Sequence, residues 1–167
     1  MLYPTISEYI SSIKDAENNF DKRANLRPLI NINGDPIFTS GNFAVVFKMR
    51  DIRTNKYYAV KSFIKDQERR AESYKLISKE LQSVTSPYLV KYEYLDKELF
   101  VDSSQSKETE YPVVVMDWIE GKTLDVYVKE LCESEDKSQL ESLSFRFNQL
   151  ATWLLEQSFA HGDLKHD

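Results

Sequence analysis

Three segments of this 167-residue sequence carry side chains that could do chemistry. Lys61 closes an apolar run that begins at Tyr58, so its ammonium group must find an anion, because burying an unpaired charge is costly. Gly41 lies in a turn between two strand-like segments, where a missing Cβ lets a ligand approach the backbone N–H groups, although a plain hairpin would show the same pattern. The heptapeptide 161–167 holds both histidines. These features indicate an anion site and a polar loop.

The segments around Lys61 predict an antiparallel sheet with one helix. They are rich in β-branched and aromatic residues and are separated by turn signals. The predicted strands cover 36–43, 44–52, 56–64, 88–95 and 111–119. The turn between the second and third of these strands contains Asn55, a residue type that tolerates a positive φ. A helix at about 66–84 precedes Ser86-Pro87, since the residue before proline avoids the α region. We expect the Ser-rich stretch 102–110 to be a mobile surface loop.

Further helices are predicted at both ends of the sequence. Thr5 and Glu8 form a capping box for an N-terminal amphipathic helix, and the stretch 17–33 is polar and loop-like. Thr123 can cap a helix through about Cys132. Ser138 and Glu141 form a second capping box, which opens a helix with an apolar face. That face comprises Leu140, Leu143, Phe147, Leu150 and Leu154.

Composition excludes several classes of protein. The net charge of −5 and pI near 5.2 argue against nucleic-acid binding. The single cysteine, Cys132, cannot form an internal disulfide. The first residues lack the basic start and apolar run of a signal peptide. No stretch approaches the ~20 apolar residues of a membrane span. We therefore expect a cytoplasmic protein without membrane contact.

The order of these elements and motifs resembles the protein-kinase-like fold over residues 36–167. The shared features are a Gly-containing strand turn at 39–47, Ala59-Val60-Lys61, a segment 113–121 similar to the kinase hinge, and His161-Gly162-Asp163. The resemblance implies an α+β fold: a five-stranded antiparallel sheet with one packed helix, a hinge, and two helices of a second lobe. It implies an N-terminal helix and linker at 1–35, an N-lobe at 36–119 and part of a C-lobe at 120–167.

The resemblance also implies a site for ATP. In the family, the lysine at the Lys61 position holds the α- and β-phosphates, and apolar side chains with hinge backbone hold the adenine. Carried over to matching positions, the implied ATP-binding residues are Gly41, Ala44, Val46, Ala59, Lys61, Met116, Asp117 and Ile119. A solvated Lys61 is the alternative.

The acidic partner of the lysine departs from the family pattern. Counting back from the segment 86–90 places Ile77 where the family has a glutamate. Glu72 and Glu80 flank that position, and either could pair with Lys61 after a shift of the helix. Either could equally be solvated.

The heptapeptide 161–167 resembles the kinase catalytic loop. Asp163 would accept the proton of the attacking hydroxyl, Lys165 would lie near the γ-phosphate, and His161 would buttress the loop. The His-Gly-Asp form is similar to that of aminoglycoside- and choline-kinase-like enzymes, whereas Lys165 is typical of Ser/Thr kinases. The whole run looks most like bacterial kinase-like proteins. Zinc binding by His161, Asp163 and His166 is a rival, although no second ligand cluster lies upstream.

These comparisons predict the ATP-binding part of a phosphotransferase acting on protein or on a small hydroxylated substrate. The sequence ends one residue before the pattern's Asn and contains no Asp-Phe-Gly, so most ligands for Mg²⁺ are missing and we expect no phosphotransfer from this chain. The alternatives are a pseudokinase-like module that binds nucleotide or a partner without catalysis, and an α+β interaction domain with accidental matches. The apolar face of the helix at 138–157 could mediate self-association.

Overall fold

The computed structural model describes residues 2–65 and 70–159. The chain divides into two compact units, Met1–Trp118 and Ile119–Asp167. The first unit holds α1 (Ile6–Lys14), α2 (Ala16–Asn19), β1 (Leu26–Pro28), β2 (Phe38–Ser40), β3 (Ala44–Asp51), β4 (Tyr57–Phe63), α3 (Arg70–Leu81), β5 (Tyr92–Phe100) and β6 (Glu110–Asp117). The second holds α4 (Leu124–Glu133) and α5 (Lys137–Leu155).

The strands of the described residues form one six-stranded antiparallel sheet. Its order is β1-β3-β4-β6-β5, and β2 also pairs with β3. The α+β class and the antiparallel sheet are therefore confirmed, with one strand more than the sequence predicted. The turn before β4 contains Asn55 at a φ of 60°, as its residue type predicts.

The additional strand, β1, lies in the stretch 17–33 that the sequence predicts as a loop. Leu26 is opposite Asp51 and Pro28 is opposite Met49 on β3. The same stretch bonds to the other side of the sheet, where Phe20 forms an isolated bridge with Leu99 of β5. The segment 20–28 therefore pairs with β3 near one edge of the sheet and with β5 at the other edge.

A buried carboxylate fixes the start of that segment. Glu98 is 2% exposed, and its Oε1 accepts the backbone N–H groups of Lys22 and Arg23 at 2.9 and 2.8 Å. Its Oε2 is buried without a hydrogen-bond partner among the described residues. Burial accordingly raises the pKa of Glu98.

Helix α1 is part of the core of the first unit. Tyr9 and Ile13 are fully buried, and the Tyr9 hydroxyl donates to the carbonyl oxygen of Phe63 at 2.8 Å. The Ser12 hydroxyl donates to the carbonyl oxygen of Phe100. The helix begins at Ile6, after the N-cap residue Thr5, and the predicted capping box of Thr5 with Glu8 is present. Helix α1 thus folds together with the sheet.

The Glu8 carboxylate also ties down the loop between β5 and β6. It accepts the backbone N–H and the hydroxyl of Ser104, both at 2.7 Å, and the backbone N–H of Thr5 at 2.7 Å. These bonds, the Ser104 N–H foremost, lower the pKa of Glu8 from 4.5 to about 2. The loop predicted as mobile is therefore attached to the start of α1 at Ser104.

Substitution of Glu8 is expected to change how stability depends on pH. The folded-state pKa of about 2 lies below the ordinary 4.5, so the stabilisation is complete above about pH 4.5 and is lost as the pH falls towards 2. Glu8→Gln should lower the urea midpoint at neutral pH, and the difference from wild type should shrink below about pH 4.5. Glu108→Gln, in the same loop, is the control. A Glu8→Gln difference that stays constant with pH would contradict the assignment.

The second unit contains two helices that differ from prediction at their starts. Thr123 is the N-cap residue of α4, as predicted, but its side chain makes no capping bond. Helix α5 begins after Asp136, whose side chain accepts the N–H of Gln139 at 3.0 Å, instead of at the predicted Ser138. No α5 residue is buried, and Phe147 is 50% exposed. Self-association through this helix stays a prediction.

Among the described residues, no helix is both long enough and apolar enough to cross a membrane.

Candidate functional site

One face of the sheet collects the side chains predicted to hold a nucleotide. Residues directly opposite each other on antiparallel strands project to the same side. Val46 of β3 is opposite Lys61 of β4, and Ala59 of β4 is opposite Met116 of β6. Because Ala59 and Lys61 are two residues apart, they share a face as well. The four side chains therefore form one surface, which we call the lysine face; Ala44, two residues before Val46, lies on it too.

The opposite face is the main core of the first unit. Val45, Phe47 and Val60 alternate with the residues of the lysine face, and all three are fully buried. On the lysine face, by contrast, Val46, Lys61 and Met116 are only partly buried. This face therefore has surface left for a ligand, and the small side chains of Ala44 and Ala59 leave room close to the strands.

The Lys61 ammonium group is held by a tyrosine from helix α3. Its Nζ donates to the hydroxyl oxygen of Tyr74 at 2.7 Å and lies 5.0 Å from the centre of that ring. The Tyr74 ring also packs on Phe63, with ring centres 5.3 Å apart. Lys61 thus has a fixed, uncharged hydrogen-bond partner on the lysine face.

The two glutamates proposed from the sequence as partners of Lys61 lie on the same helix as Tyr74. Glu72 and Glu80 are both exposed, and among the described residues no ion pair joins either of them to Lys61. Ile77, at the position where the family has its acid, is 46% exposed. The pairing of Lys61 with Glu72 or Glu80 stays a prediction.

Tyr74 was not predicted as a partner of Lys61 because it forms an apolar stripe with Ile77 and Leu81 in the sequence of α3, where a tyrosine is expected to pack. Its phenolic end was the available signal, since buried tyrosine hydroxyls usually find a hydrogen-bond partner.

Gly41 lies in the turn between β2 and β3. Its N–H donates to the carbonyl oxygen of Ala44 at 2.9 Å. A Cβ built on Gly41 would meet no atom within 4 Å, and its φ is outside the left-handed region. Neither packing nor backbone conformation within the described residues therefore requires glycine here, which leaves the space above the turn open to a ligand.

The end of β6 carries the residues predicted for the hinge. Asp117 is exposed, and its backbone N–H donates to the carbonyl oxygen of Lys91 at 3.2 Å. Next to it, the Trp118 ring lies 4.4 Å from Nζ of Lys48, which projects from the lysine face opposite Ala59. Trp118 therefore borders the lysine face. Ile119 is 66% exposed and belongs to the second unit.

The predicted catalytic residues Asp163 and Lys165 lie outside the described residues, as do both histidines. Within 2–65 and 70–159, no group of three or more His, Cys, Asp or Glu side chains could hold a metal ion. The roles of Asp163, Lys165 and Mg²⁺ stay predictions.

No protein-family model matches this chain, and no curated protein sequence matches it at a significant level.

Proposed function

We propose that the first unit binds ATP on the lysine face, as the nucleotide-binding part of a kinase-like phosphotransferase. The observation that carries the proposal is the common face of Val46, Ala59, Lys61 and Met116, which the strand register places side by side. Ligand pockets combine apolar walls with a few polar groups in fixed positions, and this face has that composition. An ATP-dependent role fits the cytoplasm.

The side chains would contact different parts of the nucleotide according to their chemistry. Val46, Ala59 and Met116 offer apolar surface to the adenine ring. Lys61 offers a charge that no carboxylate among the described residues neutralises, and its anchor on Tyr74 fixes where a phosphate would lie. The backbone carbonyl oxygen of Asp117, whose N–H is bonded to Lys91, would accept a hydrogen bond from the base, as the resemblance implies. The phosphate acceptor lies beyond this proposal.

Calorimetric titration of the full chain with ADP, adenosine and GTP tests the proposal. We expect ADP to bind more tightly than adenosine because of Lys61, and more tightly than GTP because of the base. Trp118, which borders the lysine face, provides a second signal: its fluorescence should change with ADP in a Trp153→Phe background. A folded protein that binds none of the three at millimolar concentration would overturn the proposal.

Gly41→Ala is expected to weaken ADP binding without changing stability. The added Cβ meets no protein atom within 4 Å, so the urea midpoint should stay at the wild-type value. A bound phosphate near the turn would meet that Cβ, and we expect ADP affinity to fall by about 5-fold, the size of one weakened hydrogen bond. Asn42→Ala, next in the same turn, is the control. Equal ADP affinity in wild type and Gly41→Ala would remove this turn from the site.

A binding module without catalysis is the second candidate function. The observation that favours it is the neutral Tyr74 hydroxyl at Lys61, where an active kinase has a carboxylate. Incubation of the chain with γ-labelled ATP tests the enzyme directly, because label transfer that Lys61→Met abolishes would support the enzyme over the module.

A further inference from the structure

We infer that Tyr74 is a second phosphate-contacting residue, which acts together with Lys61 as a donor-only anion site. The inference rests on the proposed function, because it assigns a new residue and a charge preference to the same lysine face. It starts from the 2.7 Å contact between Nζ of Lys61 and the hydroxyl oxygen of Tyr74.

The direction of that hydrogen bond leaves the O–H proton of Tyr74 available to bind a ligand. An ammonium group can only donate, so the phenol oxygen is the acceptor and its own O–H proton points elsewhere. Among the described residues, that proton has no acceptor: the bond from Lys61 is the hydrogen bond the Tyr74 hydroxyl makes there. A phosphate oxygen beside Lys61 would supply the missing acceptor.

The position of Tyr74 is fixed by the way α3 docks. One turn further along the helix, the Ser78 hydroxyl oxygen accepts the backbone N–H of Tyr94 on β5 at 3.2 Å. Residues four apart lie on the same side of a helix, so Tyr74 and Ser78 face the sheet together. The Tyr74 ring is held against Phe63 at 5.3 Å. The hydroxyl is therefore positioned by the packing of its ring on Phe63 and by the docking of α3 at Ser78.

A neutral partner changes which ligand the site prefers. A carboxylate at this position would cancel the charge of Lys61 and would present acceptors, which repel phosphate oxygens. A phenol is uncharged at neutral pH, so the pair keeps a net positive charge and presents only N–H and O–H donors. The nearby Tyr92, whose hydroxyl is buried without a hydrogen-bond partner among the described residues, adds no negative charge, since burial and then Tyr74 raise its pKa to about 12. The pair thus suits a fully ionised di- or triphosphate.

Titration of Tyr74→Phe with ADP and adenosine tests the inference. Phenylalanine keeps the ring against Phe63 but loses the hydroxyl. Hydrogen bonds to charged groups predict a loss of about 10-fold in ADP affinity, with adenosine affinity unchanged. In a double-mutant cycle with Lys61→Met, the two losses should be less than additive, because both variants disturb one phosphate contact.

Two further variants separate phosphate contact from packing. Tyr58→Phe makes the same chemical change on the opposite face of the sheet and should leave both affinities at wild-type values. Tyr74→Gln loses the ring but keeps a donor, and it should retain the preference for ADP over adenosine. If wild type binds ADP and Tyr74→Phe binds it equally well, this inference fails and the proposed function stands. If wild type binds no ADP, both fail.

Discussion

Lys61→Met is expected to lower ADP affinity by about 100-fold and to leave adenosine affinity within about 2-fold of wild type. Removing one partner of a desolvated charge contact typically costs ~2–5 kcal/mol, which corresponds to this range. The loss should be confined to ligands with phosphates, because Val46, Ala59 and Met116 still offer their apolar surface. Calorimetric titration with both ligands measures the two affinities.

Unfolding and net charge must be excluded as causes of a loss of ADP affinity in Lys61→Met. Methionine has a similar length and no charge, and Lys61 is only partly buried, so the urea midpoint should change little. Lys56→Met, in the exposed turn before β4, removes the same charge away from the lysine face and should bind ADP as wild type does. A similar loss of ADP affinity in both variants would show that net charge, and not a site at Lys61, governs binding.

Tyr9→Ala is expected to destabilise the first unit by about 3–5 kcal/mol, the usual cost of truncating a buried aromatic side chain. Tyr9 is fully buried, bonds to the Phe63 carbonyl at 2.8 Å and meets the Tyr111 ring edge-on with centres 6.3 Å apart. Such a loss is a large share of the ~5–15 kcal/mol that stabilises a typical domain. Urea unfolding followed by circular dichroism measures it.

Two variants on the same helix calibrate that result. Tyr9→Phe removes only the hydrogen bond to Phe63 and should cost about 1 kcal/mol or somewhat more, because the carbonyl loses a buried donor. Ser11→Ala lies on the exposed side of α1 and should stay within about 0.5 kcal/mol of wild type. If Tyr9→Ala were as stable as Ser11→Ala, α1 would be only loosely attached to the sheet.

The strands and helices around the lysine face could be predicted from the sequence because their signals are local. The strand that became β4, the turn at Asn55 and the cap at Thr5 each follow from neighbouring residue types. Strand β1 could not be predicted in the same way. It has three residues, Leu26–Pro28, too few for an alternating pattern, and it forms because Asp51 and Met49 of β3 lie alongside it.

The candidate site could be predicted only as far as strand alternation and strand pairing determine it. Once the strands are assigned, alternation places Ala59 and Lys61 on one face, and pairing with β6 brings Met116 to it. The partner of Lys61 depends on how α3 docks, which is set by long-range contacts such as that of Ser78 with Tyr94. Counting residues along the helix points to Glu72 and Glu80, a pairing that stays a prediction, while the docked helix brings Tyr74 to Lys61.

The segment 20–28 affects the tendency of the protein to aggregate at high concentration. Unpaired strand borders recruit strands from other molecules and so begin aggregation. Here the bridge from Phe20 to Leu99 and the pairing of Leu26 with Asp51 occupy main-chain groups on both borders. One short stretch of polypeptide thus protects part of β3 and of β5 from intermolecular strand pairing, and loosening it at Glu98 would free those main-chain groups on both strands at once.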